Sequence, residues 1–114
     1  MANLDWGNGY AREQIFNNVG ANRRSDWYAI KSRVSMEVHI RITGAASVLI
    51  LSSHTGTNNN AERITANPIT AADMNDNGGM IHWHLGAVDH VQFRIIDLTA
   101  GSRVSVDAIF QRLF

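Results

Sequence analysis

The chain of 114 residues contains no cysteine, and this absence excludes several kinds of site. It can form no disulfide framework, and it supplies neither a thiolate nucleophile nor a cysteine-ligated zinc or iron–sulfur centre. Hydrophobic residues make up 45% of the chain and charged residues 18%, which is typical of a folded globular protein and unlike a disordered segment. At this length one domain with a single core is expected.

The chain also lacks an excess of charge of either sign, since ten basic and ten acidic side chains cancel. A neutral chain creates no overall field that attracts nucleic acid or an anionic membrane. Its first residues do not have the basic and apolar regions of a secretory leader, and no run approaches the roughly 18 apolar residues of a membrane span. We therefore expect a protein made in a cytoplasm, with neither nucleic acid nor a membrane as its partner.

Motifs for common enzymatic chemistry are missing as well. The serines at positions 52, 53 and 102 lack the glycine pattern of a nucleophile elbow, and the acidic residues show no paired-carboxylate signature. The chain has no glycine-rich phosphate-binding motif. The sequence therefore predicts a protein that is not an enzyme and that uses no cofactor.

What the chain does contain is a strict alternation of apolar and polar residues. In Val34–Ile42 five apolar residues alternate with four polar ones. A period of two indicates a strand with one buried and one wet face. Shorter strands are predicted at residues 27–31, 47–51, 62–66, 80–85, 88–98 and 102–110, and Thr70 with Asp73 predicts one capped helical turn. Seven or eight short strands predict an all-β fold, an antiparallel, jelly-roll-like β-sandwich over residues 27–114.

The last two predicted strands, 88–98 and 102–110, are separated by a short glycine-containing turn and are predicted to pair as a hairpin. The residues predicted to face inward are Val91, Phe93, Ile95, Val104, Val106, Ala108 and Phe110. Ile96, Leu98 and Ile109 then fall on the outward side. Either a bend or a loop covers these three side chains, or they contact another subunit, because contiguous exposed apolar surface marks interfaces.

Residues 1–26 differ from the rest of the chain because turn-forming residues such as Asn17-Asn18 interrupt them. They are predicted to form an extended N-terminal arm, in which Tyr10–Val19 could be a helix too short to be stable alone. Such an arm needs a surface to lie on, either its own domain or a neighbouring molecule. The predicted partner-binding residues are therefore Leu4, Trp6, Tyr10, Ile15 and Phe16 in the arm, with Ile96, Leu98 and Ile109 in the sandwich.

His82 and His84 form the pattern closest to a metal site. Residues i and i+2 of a strand share a face, so both imidazoles could reach one divalent metal, with Asp89 or His90 as a further ligand. The pair resembles the His-x-His of cupins, although the acidic residue and the second glycine-bearing motif of that family do not follow at the expected places. The other interpretation is that both histidines lie on a polar face or bond across an interface.

Two further features have both a structural and a functional interpretation. The three tryptophans, at positions 6, 27 and 83, could stack on sugar rings as in a carbohydrate-binding module, or they could be core residues. Arg23 and Arg24, beside Ser25 and Asp26, are interpreted as a solvated turn or an intersubunit ion pair rather than a nucleic-acid patch.

The order of these features resembles that of small β-sandwich proteins in the virions of tailed bacteriophages. The resemblance covers about Ser25–Phe110 and lies in strand rhythm and turn placement. Its parts are S-D-W-Y-A-I-K at 25–31, the alternating strand ending in I-T-G at 42–44, V-L-I-L-S-S-H-T-G-T at 48–57, and D-H-V-Q-F-R-I-I-D-L-T-A-G-S-R-V-S-V-D at 89–107.

This resemblance implies a capsid decoration or cement protein, or a related head-fibre or tail component, located in the virion. Its partners would be the major capsid protein or another shell protein, and further copies of the chain, with a trimer favoured. An arm that adds a strand to a neighbouring sheet gains main-chain hydrogen bonds without needing distinctive residues. The alternatives are a small cupin-like metal enzyme that uses His82 and His84, and a carbohydrate-binding module.

Overall fold

The computed structural model describes residues 2–4, 6, 9–30, 34–57, 61–64, 67–76, 80–85 and 89–112, with the backbone alone described at residues 2, 3, 75, 76 and 80–85. The described part of the chain is almost entirely β-structure, which confirms the all-β prediction. Its elements are β1 (Ala2–Asn3), β2 (Tyr10–Val19), β3 (Arg23–Arg24), β4 (Tyr28–Ala29), β5 (Val34–Thr43), β6 (Ser47–Ser53), β7 (Glu62–Arg63), β8 (Ile69–Thr70), α1 (Ala71–Asp76), β9 (Met80–Leu85), β10 (His90–Ile96) and β11 (Arg103–Arg112).

The strands form two sheets that pack face to face. Over the described residues, sheet A has seven strands in the order β1-β4-β10-β6-β7, with β3 also paired to β10 and β8 to β6. Sheet B has four described strands in the order β2-β11-β5-β9. The recorded pairings are antiparallel, apart from the parallel pair of β1 and β4. The predicted antiparallel β-sandwich is therefore confirmed.

The core lies between the two sheets and follows the predicted alternation. Strands β5 and β11 pair along ten residues, and every second side chain of each points inward. The inward residues Val104, Val106, Ala108 and Phe110 are 0% exposed, as is Phe93 of the facing sheet. Full burial of a large apolar side chain contributes roughly 1.5–3 kcal/mol, so these central strands supply much of the stabilisation of the fold.

The predicted hairpin of the last two strands is wrong. Strand β10 belongs to sheet A and β11 to sheet B, so the connection carries the chain from one sheet to the other. Asp97 and Gly101 have φ angles of 53° and 82°, which give the chain the sharp bend it needs. The predicted inward residues are nevertheless buried, because the period of two fixes the face of a strand whichever strand it pairs with.

Ser102 ties this connection to the one between β5 and β6. Its hydroxyl accepts a hydrogen bond of 2.9 Å from the backbone N–H of Ala45 and lies 2.8 Å from the Thr99 hydroxyl. The backbone N–H of Thr99 in turn donates to the Ala45 carbonyl at 3.0 Å. Gly44 has a φ of 89°, and a Cβ at this position would collide with the Ser102 side chain. Two crossings between the sheets are therefore fastened together at one end of the sandwich.

The helix predicted over Tyr10–Val19 is wrong, since this segment is strand β2 and pairs with β11. The pairing contains two register shifts, and Asn18 adopts a positive φ of 53° within the irregular region. Such a bulge accommodates Asn17 and Asn18, which the sequence pattern predicts to form a turn. Phe16 and Val19 lie in the main core, so the arm interpretation does not apply to Tyr10–Val19.

The short helix α1 begins at the predicted cap. The backbone N–H of Thr70 donates to an Asp73 carboxylate oxygen at 2.9 Å, and the Asp73 N–H donates to the Thr70 hydroxyl at 3.3 Å. This reciprocal arrangement satisfies backbone donors at the start of a helix.

No helix in the described ranges is long and apolar enough to cross a membrane.

Truncation of Phe16 tests whether β2 is part of the core. We expect Phe16→Ala to lower the free energy of unfolding by about 3–5 kcal/mol, because it removes a buried ring and leaves a cavity. Urea denaturation measures the change. The control Gln14→Ala, at an exposed position of the same strand, should stay within about 0.5 kcal/mol of the wild type. A small effect of Phe16→Ala would mean that β2 detaches from the sandwich in solution.

Tyr28 should make the fold sensitive to alkaline pH. Its burial raises the pKa of Tyr28 to about 12, and the carboxylates of Glu13 and Asp26 add to the rise. The unfolded tyrosine has a pKa of about 10, so between pH 10 and 12 the unfolded chain loses this proton first. The free energy of unfolding should be unaffected by Tyr28 below pH 10 and fall by about 2 kcal/mol as pH rises to 12.

The matched variant for this measurement is Tyr28→Phe, which retains the ring that packs edge-to-face on Phe93 at a centroid distance of 6.5 Å. It should lack the Tyr28 part of the alkaline loss. Urea titrations at several pH values compare the two proteins. Parallel curves from pH 9 to 12 would contradict the raised pKa.

Candidate functional site on the outer face of sheet A

A pocket of about 310 Å³ opens on the outer face of sheet A. We call it the arginine pocket, because three of its lining residues are arginines from two neighbouring strands. The lining residues are Asn22, Arg23, Arg24, Leu49, Arg94, Ile95 and Ile96. The pocket therefore combines a cationic rim with an apolar floor.

The pairing of β3 with β10 brings two of these arginines together. Arg24 lies directly opposite Arg94 in the antiparallel register. Residues in such pairs share a face and lie close together, and like charges at these positions destabilise a sheet. Partial burial lowers the pKa of the Arg94 guanidinium, and the charge of Arg24 lowers it further. Both side chains remain cationic at neutral pH, because arginine is not deprotonated in proteins.

A hydrogen-bond network fixes the position of Arg94. Its Nε donates to the side-chain oxygen of Gln92 at 2.7 Å, and the Gln92 amide donates to the backbone carbonyl of Ser25 at 2.9 Å. The Ser25 hydroxyl accepts a bond of 2.9 Å from the backbone N–H of Phe93, and the Ser25 N–H donates to the Phe93 carbonyl at 2.8 Å. Gln92 is 4% exposed, so this network is shielded from water and holds the guanidinium in a defined orientation.

The floor of the pocket continues into a second hydrophobic cluster outside the sandwich. Trp27, Leu49 and Leu51 are buried there, with Ala61 and Ile96 packed against them. Leu49 and Leu51 are outward residues of β6, and the indole of Trp27 covers them. We call this the outer tryptophan cluster. The cluster explains why β6 is apolar on both faces although the adjacent strand, β10, carries polar residues on its outer face.

The predicted arm residues lie in different environments. Leu4 and Phe16 are buried in the main core, and Ile15 is half-buried against it. The ring of Trp6 packs edge-to-face on Phe110 at 6.3 Å and lies 4.4 Å from the guanidinium of Arg112. Tyr10 is 43% exposed. Among these five, Tyr10 thus offers a partner the largest free surface.

The three apolar residues predicted to face outward do not form one surface. Ile96 belongs to the outer tryptophan cluster on sheet A, and Leu98 packs against the main core. Ile109 is half-buried on sheet B, where it lies opposite Arg12 on one side and Glu37 on the other. Packing beside Trp27 therefore accounts for Ile96, and the bend at Asp97 accounts for Leu98.

The metal-site hypothesis depends on the side chains of His82 and His84, which lie outside the described part of the structure. The backbone register of β9 places His82 opposite Glu37 and His84 opposite Ser35, in sheet B. The two suggested further ligands, Asp89 and His90, lie at sheet A. His90 Nδ1 is 3.3 Å from the Ser53 carbonyl oxygen, and an Asp89 carboxylate oxygen is 3.2 Å from Nδ1 of His54. Among the described side chains no group of three or more histidines or carboxylates could hold a metal.

Tryptophan surfaces suited to sugar stacking are limited among the described side chains. Trp27 is 8% exposed within its cluster, and Trp6 contacts Phe110 and Arg112. The side chain of Trp83 lies outside the described part.

The sequence draws attention to Arg23 and Arg24 but gives no sign that they lie close to Arg94. The alternation of β10 places Arg94 outward, yet the register with β3 joins residues 70 positions apart and has no local signal.

Comparisons with known proteins show similarity at the level of the fold. No protein-family model and no curated protein sequence matches the chain. The crystal structure of YomS, a protein derived from the SPBc2 prophage, matches with a TM-score of 0.60 and 10% identity, covering 89% of this chain and 91% of that one. The structure of Aeromonas hydrophila PliG, a periplasmic inhibitor of g-type lysozyme, matches with a TM-score of 0.51 and 15% identity, covering 96% and 94%.

The pairing of Arg24 with Arg94 generates a stability prediction. We expect Arg24→Gln to raise the free energy of unfolding by about 0.2–1 kcal/mol, because it removes a like-charge cross-strand pair. Urea denaturation in 50 mM NaCl measures the gain, which should shrink in 500 mM NaCl as the repulsion is screened. The control Arg41→Gln, opposite Ser105 on sheet B, should show no comparable gain. A clear loss of stability in Arg24→Gln would show that the two arginines do not repel each other in solution.

Proposed function

We propose that this chain is a non-enzymatic structural protein of a bacteriophage virion, and specifically a capsid decoration or cement protein. In this role it binds the coat lattice and further copies of itself. Its work is the burial of surface against a partner, with no chemical step and no cofactor.

The observation that carries this proposal is the outer face of sheet A. The arginine pocket and the outer tryptophan cluster together present arginine, isoleucine and leucine around a buried indole. Arginine and aromatic residues are enriched at the centres of protein interfaces, where they provide anchors that exclude water. The exposed Arg23 and Arg24 and the half-buried Ile96 form the accessible part of this surface.

The fold comparisons support the proposal from a second direction. YomS is a prophage-derived protein, and PliG is an inhibitor of g-type lysozyme. The fold therefore occurs in a prophage-derived protein, which supports a phage origin for the proposed role. The likeness lies in the fold, so the assignment to a decoration role rests on the surface of this chain.

The charge balance suits assembly. Ten basic and ten acidic residues leave no net repulsion between copies, so many of them can sit close together on a lattice. Copies can contact one another through Tyr10 and the free side of β2, which is at the edge of sheet B over the described strands. A trimer is the assembly we propose. Deletion of the predicted arm, residues 1–26, is not a suitable test of partner binding, because it also removes Phe16 from the core.

Shell binding is tested with particles assembled from the coat protein encoded in the same genome. The full chain should sediment with these particles at a fixed ratio of copies per coat subunit, and light scattering of the free protein should give the mass of a trimer. A protein that stays in the supernatant would refute the decoration role. A mass of about 12.6 kDa would refute self-assembly in the free state.

A further inference from the structure

The arginine pocket has the chemistry to recognise an anion that is attached to apolar groups. Guanidinium groups form paired hydrogen bonds with carboxylates and phosphates, and arginine is more weakly hydrated than lysine, which favours its use at interfaces. Here Arg24 and Arg94 lie directly opposite each other above Leu49 and Ile96. A bound anion would relieve the repulsion between the two guanidiniums, so binding and sheet stability are coupled at this place.

The surroundings of the pocket favour a protein over a nucleic acid as the source of the anion. Nucleic-acid surfaces carry an extended basic track that neutralises many phosphates. This chain has no net charge, and the exposed Asp26 and Asp97 lie two residues after Arg24 and one residue after Ile96. A single concave site with an apolar floor instead fits one carboxylate and the hydrophobic side chains next to it.

We infer that the arginine pocket binds an acidic, extended segment of the partner protein, in which a glutamate or aspartate lies two residues from a large apolar residue, so that both side chains share one face. The carboxylate contacts the guanidiniums of Arg24 and Arg94, and the apolar side chain two residues away lies on Leu49 and Ile96. This inference rests on the proposed function for the identity of the partner as a shell protein. It deepens that function by naming the chemistry of the partner's contact.

The position of Arg94 supports this assignment. Its Nε is already bonded to Gln92, and Gln92 is anchored by the Ser25 carbonyl. The guanidinium is therefore held in place before a ligand arrives, which lowers the entropy lost on binding. Arg24 lies on the two-residue strand β3, which is held by the Ser25 network after it and by the hydrogen bond of 3.0 Å from the Leu98 N–H to the Asn22 side-chain oxygen before it.

The test uses a labelled peptide of Glu-Ser-Leu-Ser repeats, in which glutamate and leucine share one face of the extended chain, and a second peptide with glutamine in place of every glutamate. Fluorescence anisotropy in 50 mM NaCl measures the dissociation constant for the full chain. We expect the glutamate peptide to bind and the glutamine peptide to bind at least tenfold more weakly. Arg24→Glu should weaken binding of the glutamate peptide by about tenfold, which corresponds to 1.4 kcal/mol.

The control variant is Arg41→Glu, which makes the same change of charge at an exposed position on the opposite sheet. It should bind the glutamate peptide within twofold of the wild type. Arg24→Glu is expected to fold at least as stably as the wild type, because it places a carboxylate opposite Arg94, and urea denaturation verifies this. If it is less stable, Arg23→Glu provides a second variant at the same pocket.

Three results would overturn the inference. The first is equal loss of binding in Arg24→Glu and Arg41→Glu, which would indicate attraction by overall charge. The second is equal binding of the two peptides, which would show that the carboxylates are not recognised. The third is tighter binding of a single-stranded DNA of 12 nucleotides than of the glutamate peptide.

Sedimentation with coat-protein shells separates this inference from the decoration role. If the wild type and Arg24→Glu both sediment with shells, the decoration role stands and the acidic-segment inference fails. If the wild type does not sediment but its binding to the glutamate peptide depends on Arg24, the pocket stands and the decoration role fails. If only the wild type sediments and only the wild type binds the peptide, both are supported.

Discussion

The ten-residue pairing of β5 with β11 positions almost every other element of this protein. Their inward side chains are fully buried, so the two strands cannot shift relative to each other without exposing the centre of the core. Strands β2 and β9 add to the outer sides of this pair. The Ser102 hydroxyl joins the connection that follows β5 to the connection that precedes β11. The apolar face of sheet A must then pack on the row formed by Val104, Val106 and Phe110.

The outer face of sheet A follows from the same arrangement. Because Val91, Phe93 and Ile95 of β10 fill the core, Gln92 and Arg94 must point outward. Gln92 and Arg94 need hydrogen-bond partners there. The segment from Asn22 to Trp27 runs beside β10, where its Ser25 carbonyl accepts a bond from Gln92, and Gln92 in turn accepts one from Arg94. Trp27 then covers the outward leucines of β6. The result is a second, smaller hydrophobic cluster, with the arginine pocket beside it.

The sequence predicts the faces of the strands well and their partners poorly. The alternation in β5 and β11 is local, and it identified nearly all the fully buried residues of both strands. The pairing of β10 depends on contacts with β6 and β4, which are distant in sequence, so the short turn after β10 favours a hairpin that does not form. In β2 the asparagines lie in a bulge, which a sequence pattern does not distinguish from a turn that ends the strand. Arg24 and Arg94 meet only through that distant pairing, so the candidate site could not be predicted.

The two register shifts in β2 limit what its open edge can accept. The ladder with β11 is regular over Tyr10–Gln14 and irregular from there to Val19. An added strand would therefore find regular geometry along five residues, or about 17 Å at 3.4 Å per residue. Such a length is enough for a short, specific contact between copies. Bulges increase the local twist of a strand, so the irregular half of β2 is poorly suited to pairing with a long added strand.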